Sequence, residues 1–304
     1  MADKAHNETD EKLAEMEEHL SAIYEEASKD IEAKAQEYFD RFKEQDEKMR
    51  KKVEQGDMTE DEYIEWRRKK MLTGENWKKR QQYIANQYEH VNEIALAYIN
   101  GKMPEIYVLN YNYSAEKITS AVKAAITIEP ISADVIKAFA DKHKTYLPLK
   151  TVNHRKYQRW CTQKINSAVL QGIFQGESVS TMAKRLESVT RMDKEAALRN
   201  ARTMVTSAEC KGRQDSYEQA QKDGVLIKRE WIATNDRRTR HAHVYLDGKT
   251  AAVDEPFETK VQVNKTTFVT DKIMYPGDTN ALPANVYNCR CTIAAKVMGF
   301  KKGR

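Results

Sequence analysis

The chain has 304 residues, of which 32% are charged and 40% hydrophobic, and a net charge of +5. No run of about 18 apolar residues occurs, which excludes a membrane-spanning helix; the balance suits an elongated, helix-rich protein better than one large core. Four cysteines are too few for a disulfide framework at this length, and MADKAHNETDEK lacks the basic-then-apolar layout of a secretory signal, so a reducing cytoplasm is the expected compartment.

Residues 1–60 hold 10 Lys/Arg against 19 Asp/Glu, a net of −9, while the remainder holds 41 against 27, a net of +14. Over residues 10–55, apolar side chains recur at Leu13, Met16, Leu20, Ile23, Ala27, Ile31, Phe39, Phe42, Met49 and Val53, mostly at spacings of three, four and seven. With no Gly or Pro before Gly56, this predicts a long amphipathic helix or coiled-coil arm. Its stripe needs a partner, either the chain's own next helix or another subunit.

MTEDEYIEWRRKK predicts a second helix, with Thr59 as N-cap, Glu62 three residues on, and Gly74 closing it. The following stretch reads as helical to Gly101. Arg67, Arg68, Lys69, Lys70, Lys78, Lys79 and Arg80 crowd there with Trp66, Trp77 and Tyr83. Basic residues among aromatics suit phosphate binding and base stacking; the same mixture describes an amphipathic helix whose long side chains keep their charged ends in water.

YVLNYNYSAEK reads as an irregular crossing, and Pro130 and Pro148 as boundaries. Helical pattern resumes from His154, with Gly172 and Gly176 as punctuation, then SVSTMAKRLESV, then a long helix ended by Gly224. Cys161 and Cys210 fall in this helical sequence and read as buried small hydrophobes. After Gly224 the texture changes. VLIKREWIAT alternates as a strand, LDGK supplies an Asp-Gly turn, VQVNKTTFVT reads as a strand or a hairpin around Asn264-Lys265, and VYNCRCTIAAKV as another strand. The expected fold class is α+β, with long helices in the N-terminal two-thirds and a small β-rich C-terminal unit. The expected parts are an acidic arm over 1–56, a basic helical region over 57–160 and a domain over 161–304, helical to about 224 and β-rich over 225–304.

Chemistry concentrates in two patches, WIATNDRRTRHAHVYLDG and YPGDTNALPANVYNCRC. In a strand, Cys289 and Cys291 point to one face, and so do His241 and His243. Thiolates with imidazole suit zinc, although the four ligands at finger-like spacing of a typical zinc domain are missing. A Cys–His nucleophile pair is chemically open, and so is a metal-dependent hydrolase or nuclease using His243, Cys289 and Cys291, although no later His completes a nuclease finger. The base reading is structural. Asp236, Arg237, Arg238 and Arg240 would form Arg–carboxylate forks with Asp247 or Asp278, and Gly248 and Gly277 would take positive φ in turns.

Taken in order, Trp231; Asp236, Arg238, Thr239, Arg240, His243, Leu246, Asp247, Gly248; Pro256, Phe257; Tyr275, Pro276, Gly277, Asp278; and Asn288, Cys289, Arg290, Cys291 resemble the C-terminal domain of phage head-morphogenesis proteins, the Mu F-like minor head proteins. The likeness covers roughly residues 165–295 and makes 161–304 a head-morphogenesis domain. It implies a non-enzymatic minor structural protein of a tailed phage or prophage, made in the host cytoplasm and ending at the portal vertex inside the virion. The implied partners are the portal protein, a scaffold or major capsid protein, and packaged DNA, with no membrane. The acidic arm would then dock a partner and the basic body would hold DNA; sequence-independent DNA binding as the primary role is the alternative. In this resemblance the family's His and paired cysteines map onto His243, Cys289 and Cys291, and His241 is an addition. Some relatives carry a toxin after this domain; with 13 residues beyond Cys291, none is expected here.

Overall fold

The computed structural model describes residues 3–301 except 74, 124, 143–146, 148 and 265. Gly74, Pro148 and Lys265, read above as punctuation, lie outside the described residues. The fold is α+β. Long helices α1 (Lys4–Glu54), α2 (Glu60–Arg68), α3 (Glu75–Ala121), α4 (Ala133–Lys142), α5 (His154–Phe174) and α6 (Val179–Lys222) precede the strands. The C-terminal part contains β1 (Val225–Ile232), α7 (His241–Leu246), β2 (Thr250–Ala252), β3 (Phe257–Gln262), β4 (Phe268–Ile273), α8 (Pro283–Val286) and β5 (Thr292–Phe300). No helix among the described residues is long and apolar enough to cross a membrane.

Local chemistry explains several boundaries. Thr59 accepts the Glu62 N–H at 3.2 Å, and Glu62 accepts the Thr59 N–H at 2.9 Å, a reciprocal capping box that starts α2. Gly224 ends α6 with φ of 94°. Two expectations fail. YVLNYNYSAEK is not a crossing but the interior of α3, and the two helices expected between 179 and 222 are one, α6. Tertiary contacts override the weak helical preference of Asn and Tyr in α3. Asn110, fully buried, donates to Thr9 Oγ1 and to the Ile106 carbonyl and accepts from Arg213 Nε at 3.0 Å.

The chain forms two compact units that follow packing and not chain order. One comprises Met1–Glu17, Tyr98–Lys150 and Leu198–Arg304; the other comprises Glu18–Ala97 and Thr151–Ala197. The apolar stripe of α1 finds its partners inside the chain. Met16 is buried in the first unit, and Leu20, Tyr24, Ile31 and Phe39 are buried in the second.

The helical unit of 18–97 and 151–197 has a core of Ile31, Phe39, Trp77, Ile84, Tyr88, Cys161, Ile165, Val169 and Met182. The other unit carries the sheets. β1 is central, antiparallel to both β2 and β5, and pairs Trp231 with Ile293 and Arg229 with Ala295. β3 and β4 form a separate hairpin, with Gln262 opposite Phe268. One face of β1 is buried through Val225, Ile227, Arg229 and Trp231. Arg229 is accommodated there because Ala252, Glu255 and Met274 carbonyls and Gln214 Oε1 accept its hydrogen bonds, and its guanidinium lies 5.2 Å from the Phe257 ring centroid.

Candidate functional site

The two chemical patches meet in the sheet-bearing unit. His243 lies on α7, a helix and not the expected strand, so His241 and His243 point to opposite sides: His243 is buried and His241 exposed. Cys289 and Cys291 precede β5 and lie in the connection from α8. That connection is held against α6. Thr206 Oγ1 donates to the Cys289 carbonyl at 2.6 Å, Cys210 Sγ to the Cys291 carbonyl at 3.8 Å, and the Asn288 N–H to Thr203 Oγ1 at 2.9 Å. Asn288 takes a left-handed φ of 57°, which Asn tolerates better than most residues and which turns the chain so that both sulfurs face inward.

Both sulfurs converge on one imidazole nitrogen. Cys289 Sγ and Cys291 Sγ each lie 3.4 Å from His243 Nδ1. On the far side of the ring, Nε2 is 3.2 Å from Asn285 Oδ1, and Asn285 Nδ2 donates to Asp271 Oδ2 at 2.7 Å. The Trp231 ring packs edge-on against His243 with centroids 5.2 Å apart, backed by Phe257. The hydrogen bond with Cys289 draws the Cys291 thiol below its ordinary value, and His243 adds to that shift against the cost of burial. Cys289 is pushed well above the ordinary thiol value by the same neighbour and by burial.

A thiol, an imidazole and an amide in line can activate a nucleophile, and two thiols can hold a soft metal. Access separates these uses. Cys289, Cys291, His243 and Asn285 are exposed by 2%, 3%, 1% and 0%. The neighbouring groove, about 560 Å³, is lined by His241, Ala242, Tyr245, Glu258, Thr259, Lys260 and Thr270, and none of the three converging side chains borders it.

The remaining motif residues build the walls. Asp236 takes its fork from Arg290, with Arg238 Nε 4.0 Å away. Arg290 reaches it at 2.6 and 2.7 Å, and the Arg238 N–H donates to it, which together hold its carboxyl well below the usual range. Asp247 accepts from the Ala233 N–H and Asn235 Nδ2, and Asp278 from the Met274 and Asn280 N–H groups; their partners are backbone and amide, not arginine. Arg240 donates to the Tyr287 carbonyl. Pro276 is buried beside Gly277, whose φ is 81°, and a Cβ there would meet Ser207 Cα at 2.8 Å. Gly248 has φ of 73° in open space.

The basic run over 67–80 is split by the fold. Arg67 is 1% exposed, its Nε 2.9 Å from Asp46 Oδ1 and its Nη2 3.0 Å from the Glu177 carbonyl, so it faces no polyanion. Arg68 pairs with Glu65. Lys69 and Lys78 are exposed. Lys70, Lys79 and Arg80 line a groove of about 640 Å³ with Arg41, Tyr38, Phe42 and Tyr83.

Sequence reasoning missed Asn285 and Asp271, which orient the imidazole, and the buried Arg213 and Arg229. Arg213 binds Asp3 at 2.6 and 2.8 Å and Asn110 at 3.0 Å. For Arg229 a signal was present, because strand alternation puts it on the face of Ile227 and Trp231.

Residues 163–294 match the family model described as Phage Mu protein F like protein. Over that stretch the chain resembles the phage head-morphogenesis proteins. It is 29% identical over 210 residues to Minor head protein GP7 of Bacillus phage SPP1, covering 67% of this chain and 63% of that protein. It is 32% identical over 145 residues to the NAD(+)--arginine ADP-ribosyltransferase EFV of Enterococcus faecalis (strain ATCC 700802 / V583), covering 48% of this chain. The chain spans 28% of the length of that relative and less than two thirds of the phage one. No solved structure matches the chain.

Proposed function

We propose that this chain is a minor structural protein of a tailed phage or prophage head, held at the portal vertex, and that it works by binding and not by catalysis. The observation that carries the reading is the likeness to Minor head protein GP7, which runs for 210 residues and so reaches past the domain match at 163–294. The transferase name belongs to a protein of which this chain spans 28%. The thiol–imidazole cluster, the best-equipped chemical group in the domain, is closed to substrate by burial.

The partners in this reading are the portal protein, a scaffold or major capsid protein, and packaged DNA. The inward stripe of α1 leaves its acidic outer face for protein docking. The groove of Arg41, Lys70, Lys79 and Arg80 with Tyr38 and Tyr83 supplies the cations and rings that single-stranded or duplex backbone contacts use. If it holds DNA, log affinity falls linearly with log salt, and exchanging Lys70, Lys79 and Arg80 for Gln flattens the slope.

The test of the head reading is to purify heads from an induced culture and quantify this chain and the portal protein in them by mass spectrometry. Co-sedimentation with portal-containing particles at a few copies per head is expected. Recovery only from the soluble fraction, beside particles that contain portal, overturns the proposal.

A further inference from the structure

We propose that His243, Cys289 and Cys291 form a structural zinc site that ties α7 to the connection before β5. The inference rests on the geometry of the three side chains and is independent of the head-protein reading. Among the described residues these three offer ligand atoms that all lie within 4.8 Å of one another, and all three residues are buried.

The argument turns on lone pairs. Asn285 Nδ2 is committed to the Asp271 carboxylate, so the amide presents its oxygen to His243 Nε2. An oxygen accepts, so Nε2 carries the ring proton and Nδ1 is left with a single lone pair. That lone pair faces two sulfurs at 3.4 Å each. Only one thiol can donate to it at a time, and the second gains little, since the Cys291 N–H already approaches Cys289 Sγ at 3.5 Å as a donor. Three electron pairs therefore converge on one point in a buried pocket. A divalent soft cation satisfies all three at once, with the thiols as thiolates.

The dimensions agree. Zinc holds sulfur at about 2.3 Å and imidazole nitrogen at about 2.0–2.1 Å, so a tetrahedral nitrogen–sulfur edge is about 3.6 Å. Both observed separations lie close to that value before any metal is drawn in. The outer partners are those a metal-binding imidazole needs: an amide and a carboxylate in series fix its tautomer and rotation, and the Trp231 ring packs against it. The ligand backbone is pinned to α6 through Thr206 and Cys210.

The experiment uses the full chain, expressed with zinc and purified without chelator. Elemental mass spectrometry is expected to give about one zinc per chain. The content should fall to background in Cys289→Ser and in Cys291→Ser, and be unchanged in Cys161→Ser. Where a Ser variant does not fold, cobalt replaces zinc in the wild type; thiolate-to-cobalt charge-transfer absorption with intense tetrahedral d–d bands is expected. Wild-type protein without zinc, zinc that survives loss of both cysteines, or a cobalt spectrum without thiolate bands would each overturn the proposal.

Discussion

Two polar clusters, one half-buried in the helical unit and one buried in the sheet-bearing unit, are built on opposite principles. In the helical unit, Tyr24 Oη donates to Asn92 Oδ1 at 2.6 Å, Asn92 Nδ2 donates to Tyr157 Oη, and Tyr157 donates to Asp193. Donors and acceptors alternate, and the chain ends on a carboxyl that burial pushes up to about 7. In the sheet-bearing unit, acceptors converge on one point around His243 and donors are short. The first cluster is complete with protein atoms and serves packing. The second gathers three ligating side chains, all of them buried. Burial alone does not tell such sites apart; the direction of their lone pairs does.

The comparison is broken most severely by removing the hub of the second cluster. His243→Ala deletes a fully buried ring in contact with Trp231 and leaves Asn285 without its partner; a loss of about 3–5 kcal/mol is expected. Hydrogen exchange should quicken in β1 and β5 while the helical unit keeps its protection. Equal loosening of both units would contradict the assignment.

Asp193 tests the first cluster through pH. Its folded value lies above that of an ordinary carboxyl, so between about pH 4 and 7 the folded state keeps a proton that the unfolded chain has released. Stability should therefore fall as pH rises through that window, by roughly 2–4 kcal/mol in total. Asp193→Asn, measured by urea unfolding at several pH values, should remove that slope.

The two turn glycines make a smaller pair. Gly277→Ala forces both a left-handed alanine and a collision with the Ser207 backbone on α6, and should cost about 2–3 kcal/mol. Gly248→Ala meets open space and should cost about 1 kcal/mol. Equal losses would mean that the Gly277 loop can move away from α6.

The smallest effect comes from His6. Burial works against its charge, but Glu209 Oε1, 2.8 Å from Nδ1, outweighs it and raises the imidazole above its ordinary value. The stabilisation is then complete below the ordinary histidine value and is lost as pH rises through the raised one. Against His6→Gln, the wild type should lose its advantage as pH rises above the ordinary histidine value.

What could be read from the residues differs by element. The Thr59–Glu62 box, the stop at Gly224 and the alternation of β1 depend on near neighbours and are legible. The interior of α3 is not, because the burial of Asn110 against Thr9 and Arg213 is a long-range fact. The meeting of His243 with Cys289 and Cys291 could be suspected from residue type alone. The inference from strand alternation placed His241 beside His243, whereas a helix sets them on opposite sides. Asn285 and Asp271 carry no local signal, since their role exists only once α8 and β4 approach the imidazole.

The central claim, a thiol–imidazole cluster that is chemically competent and closed, is tested most directly by thiol titration with a small aromatic disulfide reagent. In the native full chain, none of the four cysteines should react on the timescale of the assay, and all four should react after denaturation in the presence of a chelator. Rapid native reaction of one thiol, absent from Cys291→Ser, would mean that the cluster is open and would return it to candidacy as an active site.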